Sequence, residues 1–315
     1  MDVPDDTATF RLMSYKDFIA FRRGLERTPP LDRMTVRSRG LDFAVWTTAP
    51  VAGALPLLMV NGGLLYDHGI LWPALSPLAA KRQVILYDQR GRGETSPPAD
   101  PMSARIEDDA EDIPALRRAL GIRRWDVLGH SWGGGIAMLG VARDQAGTRR
   151  LVTVDAVGAT SAWMPTLQAN ALASVDEERR AALASFYPAL ATPDVATHGA
   201  YSRASYPAYF VDPEFRARFA PPSAVSVTGA AVAARLRREG YDWSEQLRAL
   251  STPTLVLHGE GDALPPSVAN ELAQLLPRAR LSLVPAAGHM PFWEAPQRFF
   301  SEVDAFLATG ASVPP

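Results

Sequence analysis

The sequence contains no cysteine, which excludes disulfides, thiolate metal sites and a cysteine nucleophile. Lysine is almost absent as well, with only Lys16 and Lys81, so nearly all the positive charge is arginine. No basic cluster exists, and 32 Lys+Arg against 34 Asp+Glu leave a formal net charge of -2. A nucleic-acid surface needs concentrated Lys and Arg to neutralise phosphates, so no nucleic-acid partner is expected. No apolar run approaches the roughly 20 residues of a membrane span, so no membrane role is expected either. The acidic start, Met1-Asp-Val-Pro-Asp-Asp6, is not followed by the apolar core of a secretory signal, which points to a cytoplasmic protein.

What remains is the make-up of a globular chain. Of its 315 residues 47% are hydrophobic and 21% charged, enough for one large α/β core carrying an insertion. The preference for Arg, Ala, Gly and Pro, whose codons are rich in G and C, points to a bacterial source. Residues 1–34 read as an extension. Within it Tyr15, Phe18, Ile19, Phe21 and Leu25 fall at near-helical spacing before Thr28-Pro-Pro30, as in a helix that packs on the body or makes a dimer or lid contact. A monomer or homodimer is expected.

Beyond residue 34, segments of strand and helix type alternate. Strands are expected over 34–39 and 41–48 around a Gly40 turn, then over 55–60, 83–87, 125–128, 151–154, 254–257 and 281–284. Helices are expected over 106–120, 136–142, 267–276 and 296–307. The acidic residues Glu107, Asp108, Asp109, Glu111 and Asp112 suit a solvated helix start, where the dipole favours them. Apolar strands without alternation, separated by helices, imply a mostly parallel sheet covered on both faces. The rhythm fails between 157 and 247, where helical candidates at 176–186, 213–219 and 230–238 accompany 11 aromatics. That stretch reads as a helical cap over the strand ends. The expected division is a core of 35–156 and 248–308, a cap of 157–247 and a tail of 309–315.

Gly129-His-Ser-Trp-Gly133 is a G-x-S-x-G segment set between a buried strand and a helix. A sharp strand–turn–helix strains the serine backbone, lifts its Oγ above the sheet and requires small flanking residues. A serine hydroxyl needs a base to take its proton. Of the five histidines, His289 follows the last expected strand, in the order Ser…Asp…His of this architecture. His130 is expected to point away from the serine's reactive side. His68 and His198 fall in loop and cap, and His258 reads as a buried strand-end residue. The acid that orients the base is expected after the strand 254–257, where Asp262 sits further out than Glu260. Asp155, after the strand 151–154, is the other position from which an acid could reach. An oxyanion needs two backbone N–H donors; the candidates are Trp132, next to the serine, and Gly63 in Asn61-Gly-Gly63.

As a set these residues resemble the α/β-hydrolase superfamily and, within it, the proline-iminopeptidase-like branch of serine hydrolases. Val60-Asn-Gly-Gly-Leu-Leu65 stands where the branch carries H-G-G-P-G, and Tyr87-Asp-Gln-Arg-Gly-Arg-Gly93 resembles its D-Q-R-G-x-G segment. Leu128–Gly134 resembles its nucleophile elbow, and Gly259-Glu-Gly-Asp262 and Gly288-His-Met-Pro-Phe-Trp-Glu-Ala-Pro296 resemble its acid and histidine loops. The resemblance implies Ser131, Asp262 and His289 as triad, with Gly63 and Trp132 as oxyanion hole. Asn61 departs from the branch's His, and Leu64-Leu65 from its Pro-Gly.

True iminopeptidases of the branch hold the substrate's amine with cap carboxylates. Glu177, Glu178, Glu214 and Glu239 lie in this cap without a spacing that marks an amine site. The branch also includes esterases, lactonases and natural-product tailoring enzymes. Hydrolysis of an ester, thioester or lactone through an acyl-enzyme is therefore expected. An aminopeptidase, a carbon–carbon hydrolase, lyase or cyclase using the same triad, and a ligand-binding receptor on a hydrolase scaffold stay open. The expected substrate is a small, mainly apolar molecule touched by Leu64, Leu65, Trp163, Tyr206 and Met290. Nothing in the motifs implies a metal or an organic cofactor.

Overall fold

The computed structural model describes residues 28–308 apart from Ala224; the helix expected within 1–27 and the tail 309–315 lie outside the described residues. Strands β1 (Asp32–Ser38) and β2 (Leu41–Thr47) form an antiparallel hairpin. Its turn places Arg39 and Gly40 at φ 45° and 77°, the two-residue geometry whose twist matches the flanking strands. β1 opens inside the stretch read as an extension. It is an edge strand, largely exposed, and carries Asp32, Arg33 and Arg37, charges that discourage pairing with another chain.

β3 (Leu57–Val60), β4 (Val84–Tyr87), β5 (Trp125–His130), β6 (Thr148–Val154), β7 (Thr254–Gly259) and β8 (Ala279–Val284) run parallel to one another. Every residue of β3, β4, β5 and β7 is buried. Helices cover both sides of such a sheet, so these strands read as unbroken apolar runs. The sheet order is β1-β2-β4-β3-β5-β6-β7-β8. The chain steps outward from β3 to β4, returns past β3 to β5, and then continues in that direction.

Right-handed crossovers translate this order into layers. The β3–β4 connection lies on one face. Helices α1 (Ile106–Ala119), α2 (Trp132–Arg143) and, after β7, the helix Pro266–Leu275 lie on the other. The last helix, Pro296–Ala308, returns to the first face, where its Asp304 accepts hydrogen bonds from Lys81 and Arg82 at 2.9 and 2.8 Å. β3 and β5 are neighbours whose chains leave for opposite faces, so a crevice opens at their C-terminal ends. That is where open α/β sheets bind ligands.

Between β6 and β7 the chain makes a helical excursion. It comprises α3 (Met164–Ala173), α4 (Glu177–Phe186), α5 (Val195–Ser205), α6 (Pro213–Arg218), α7 (Val227–Glu239) and α8 (Ser244–Arg248). Its described residues add no strand to the sheet. Asp176, Asp194, Asp212 and Ser226 start α4 to α7, each side chain accepting a backbone N–H of the first turn, which satisfies donors the helix itself cannot. Ala171, Val175, Leu183 and Ala208 give the excursion a small core of its own. α9 (Pro266–Leu275), α10 (Pro291–Glu294) and α11 (Pro296–Ala308) complete the chain. No helix among the described residues is long and apolar enough to cross a membrane.

The acidic start of α1 departs from the expected solvated cap. Asp109 and Asp112 are buried, because their three-residue spacing turns them inward with Ile113 and Leu116. Arg92, itself fully buried, grips Asp109 at 2.7 and 3.1 Å, and Arg90 grips Asp112 at 2.8 and 2.6 Å. Arg92 Nε also donates to the Leu64 carbonyl at 2.8 Å, so the ion pair anchors the loop after β3. Asp109→Ala would strand a buried guanidinium. The expected loss is about 3–5 kcal/mol of unfolding free energy, read as a lower urea midpoint at unchanged m-value.

Candidate active site

The elbow follows from where β5 ends. The strand runs through His130, two residues beyond the expected end, and α2 begins at Trp132. Ser131 alone makes the turn, at φ 55°, a left-handed conformation costly for a side-chain-bearing residue and characteristic of functional turns. Its N–H donates to Val154 O at 2.9 Å, and its carbonyl accepts from Gly134 at 2.9 Å. The glycines of the motif are steric necessities. A Cβ on Gly129 would stand 2.3 Å from Gly133 O, and one on Gly133 would stand 2.2 Å from Val60 O.

The loop after β3 meets this elbow backbone to backbone. A Cβ on Gly62 would lie 2.6 Å from both Ser131 Cβ and His130 O. Asn61, where the resembling branch carries His, staples the loop: its Nδ2 donates to Tyr66 O at 3.0 Å and Gly62 O at 3.3 Å. Gln89 Nε2 donates to Asn61 O at 2.7 Å, and Arg92 holds Leu64 O as described. With its carbonyl oxygens engaged from behind, the loop presents Gly63 beside Trp132 on the wall of one cavity that also contains Ser131. Fixed donors next to the nucleophile are what an oxyanion requires.

The candidate acid and base come from the loops after β7 and β8. Asp262 Oδ2 accepts from His289 Nδ1 at 2.6 Å, and its Oδ1 accepts from Leu264 N–H at 3.0 Å. Nε2 of the same ring is left for the cavity that His289 shares with Ser131. Burial holds the imidazole below its ordinary range, so His289 rests as a neutral base. Asp155, the other acid position, bonds Gly259 N–H at 2.8 Å and not His289. His258 is buried, and its Nε2 donates to Leu264 O at 2.8 Å, as expected of a strand-end residue.

His130 departs from expectation. Because β5 runs on through residue 130, its ring lies beside His289, centroids 4.9 Å apart, and its Nε2 donates to the His289 carbonyl at 2.8 Å. Residues that sequence reasoning left without a role hold the other side of the base. Tyr209 stacks on the His289 ring at 4.6 Å, and its carbonyl accepts the His289 N–H at 2.8 Å. The Glu294 carboxylate accepts three backbone N–H groups, from Val211, Asp212 and Gly288, at 2.7, 2.7 and 2.6 Å. The excursion is thereby tied to the histidine loop on the far side of the sheet edge. The histidine-loop motif contains both Glu294 and Gly288, but Val211 and Asp212 are distant in sequence.

The cavity, with about 1100 Å³ of empty space partly open to solvent, is lined by Leu64, Leu65, Trp163, Tyr206 and Met290. Tyr201 and Tyr209 also line it, whereas Phe186, Phe210, Tyr241 and Trp243 pack elsewhere in the excursion. None of Glu177, Glu178, Glu214 and Glu239 reaches it; Arg237 and His198 do. Arg237 lies over the Tyr187 and Tyr201 rings at 6.0 and 5.6 Å. Its guanidinium is therefore held at the cavity by the excursion itself.

A strained serine between strand and helix, at the crevice of a parallel sheet, with a histidine–carboxylate pair arriving from the last two strand ends, defines a hydrolase class by geometry. The profile described as alpha/beta hydrolase fold matches residues 56–296, and the chain belongs to that family of enzymes. Several curated relatives that the chain resembles are named proline iminopeptidase. It is 26% identical to the proline iminopeptidase of Lactobacillus delbrueckii subsp. lactis, over 82% of this chain and 94% of that protein. The crystal structure of VinJ matches with a TM-score of 0.69 at 23% identity, covering 89% of this chain and 99% of that one. A thermophilic esterase from Thermogutta terrifontis matches with a TM-score of 0.61 at 25% identity, over 88% and 98%.

Glu294→Ala would leave three N–H groups without their charged acceptor. The expected cost is about 3 kcal/mol in urea unfolding. Displacement of the His289 loop is also expected to slow fluorophosphonate labelling of the folded protein by about tenfold or more.

Proposed function

We propose that this enzyme hydrolyses an ester, thioester or lactone of a small, mainly apolar substrate through an acyl-enzyme on Ser131. The observation that carries the choice of bond is the cavity wall. Among the described lining residues there is no Asp or Glu, and a cation, Arg237, is present. An aminopeptidase must bury a substrate ammonium, which needs a paired carboxylate to offset its desolvation. A wall with a cation and no carboxylate favours a substrate without that amine.

Ester cleavage asks only for the nucleophile, the base and the hole. His289 Nε2 takes the Ser131 proton as Oγ attacks the carbonyl carbon, while Asp262 stabilises the imidazolium that forms. The N–H groups of Gly63 and Trp132 receive the developing oxyanion. His289 then protonates the leaving group, and a water activated by the same residue releases the acyl group. The excursion over 157–247 acts as a cap on the core of 35–156 and 248–308, and its aromatic wall with Leu64, Leu65 and Met290 takes the apolar part of the substrate. The similarity to an esterase at 25% identity supports this reading, and the curated relative named proline iminopeptidase supports the aminopeptidase as the second.

Ser131→Ala and His289→Ala are each expected to lower kcat by roughly 10⁴-fold or more, and the double variant by little more, because the triad acts as a unit. Wild-type kcat/KM on p-nitrophenyl butyrate should exceed that on proline p-nitroanilide by about 100-fold, some 2.7 kcal/mol of transition-state preference. A preference for the anilide would establish the aminopeptidase instead.

A further inference from the structure

The two acids that sequence reasoning weighed as partners of His289 end up side by side. Asp155 closes β6 at φ 45°, a backbone conformation that Asn, Asp and Gly tolerate and most residues do not. It is fully buried; Oδ1 accepts from Gly259 N–H at 2.8 Å, and Oδ2 meets no donor. One carboxyl oxygen of Asp155, one of Asp262 and a ring nitrogen of His258 all lie within 4.8 Å of one another.

Among the described residues nothing beside the pair supplies a positive charge. His258 stands 3.7 Å from each carboxyl group, beyond hydrogen-bond reach, and burial pulls it down to about 4, so it is neutral. His130 is likewise held neutral by burial, and Glu294, the remaining charged neighbour, is an anion spent on three backbone N–H groups. Neither Asp155 nor Asp262 has an Arg or Lys partner among the described residues. Burial pushes both Asp155 and Asp262 well above the usual carboxylate range, and the neighbouring Asp262 raises Asp155 further. Two carboxyl groups so close, in so dry a place, hold one proton between them.

Hydrogen bonding decides where that proton sits. Asp262 receives His289 Nδ1–H at 2.6 Å and Leu264 N–H at 3.0 Å, so the negative charge is better solvated there. Asp155 Oδ2, the oxygen without a donor, is the place for the proton. We propose that Asp155 is a positioning residue for the catalytic pair, a neutral carboxylic acid that turns its proton towards Asp262 and keeps that carboxylate ionised and oriented for His289. The inference rests on the Ser131–His289–Asp262 reading. One negative charge, not two, then lies beneath the base, and no proton leaves Asp155 during turnover.

The test compares Asp155→Asn and Asp155→Gly, both compatible with the left-handed backbone, using p-nitrophenyl butyrate. Asn keeps the net charge and an N–H donor, so the acid limb of kcat/KM should stay within about 0.3 pH unit of wild type and kcat within about threefold. If Asp155 were ionised in the wild type, Asn would remove an anion near the imidazolium. The limb would then fall by about one unit or more, which overturns the proposal. Gly removes the donor, leaves Asp262 more basic, and is expected to raise the acid limb and lower kcat by about tenfold. Gly matching Asn in both quantities would reduce Asp155 to a purely structural acceptor for Gly259. Infrared difference spectra of unligated wild type against Asp155→Asn give a reading that needs no substrate. A protonated-carboxyl C=O band present only in the wild type supports the proposal, and its absence refutes it. Failure of fluorophosphonate labelling would sink the triad reading separately, with the infrared result still deciding the state of Asp155.

Discussion

Gly62 approaches Ser131 so closely that no side chain fits between the loop after β3 and the nucleophile elbow after β5. That backbone contact exists because β3 and β5 are neighbours in the sheet while their chains depart to opposite faces. The crevice is thus a product of strand order, and the glycines are what let two loops share it. Everything that follows serves to hold the loop after β3 at this distance. Asn61, Gln89 and Arg92 each bind a loop carbonyl or donate across the loop. Arg92 is in turn fixed by Asp109.

This arrangement explains why buried charge is tolerated so near the core. A buried ion pair seldom adds net stability over apolar packing, because desolvation cancels much of the attraction. Here the Arg92 guanidinium has a second use, since its Nε reaches a carbonyl of the loop beside the serine. The pair converts the position of α1 into the position of Leu64. Preorganisation of this kind matters when donors must already point at a charge that develops only during reaction.

The His289 loop is held from the opposite side by the helical excursion. The Tyr209 backbone and ring, and the backbone of residues 211–212 through Glu294, grip the loop that carries His289. The excursion is therefore part of how His289 is held, as well as the wall of the cavity. Its aromatic residues divide accordingly: Trp163, Tyr201, Tyr206 and Tyr209 face the cavity, while Phe210 and Phe215 stack on each other at 5.1 Å within the packing.

The sequence by itself determined the strand–helix alternation, the elbow and the chain order of serine, acid and histidine. These show in short stretches of chain: apolar runs without alternation mark strands buried on both faces, and G-x-S-x-G marks a sharp strand–turn–helix. It also indicated the cap helices with strong amphipathic or acidic starts. The helices α3, α5 and α8 were missed, although Asp194 before α5 is an ordinary N-cap, because propensity without periodicity is a weak signal. Only the tertiary structure decided that His130 lies against His289, that Asp109 and Asp112 are buried with arginines, and that Asp155 ends beside Asp262. Each depends on partners tens to hundreds of residues apart, and a carboxylate's sequence neighbourhood does not reveal whether water, an arginine or another carboxyl group will face it once the sheet has assembled.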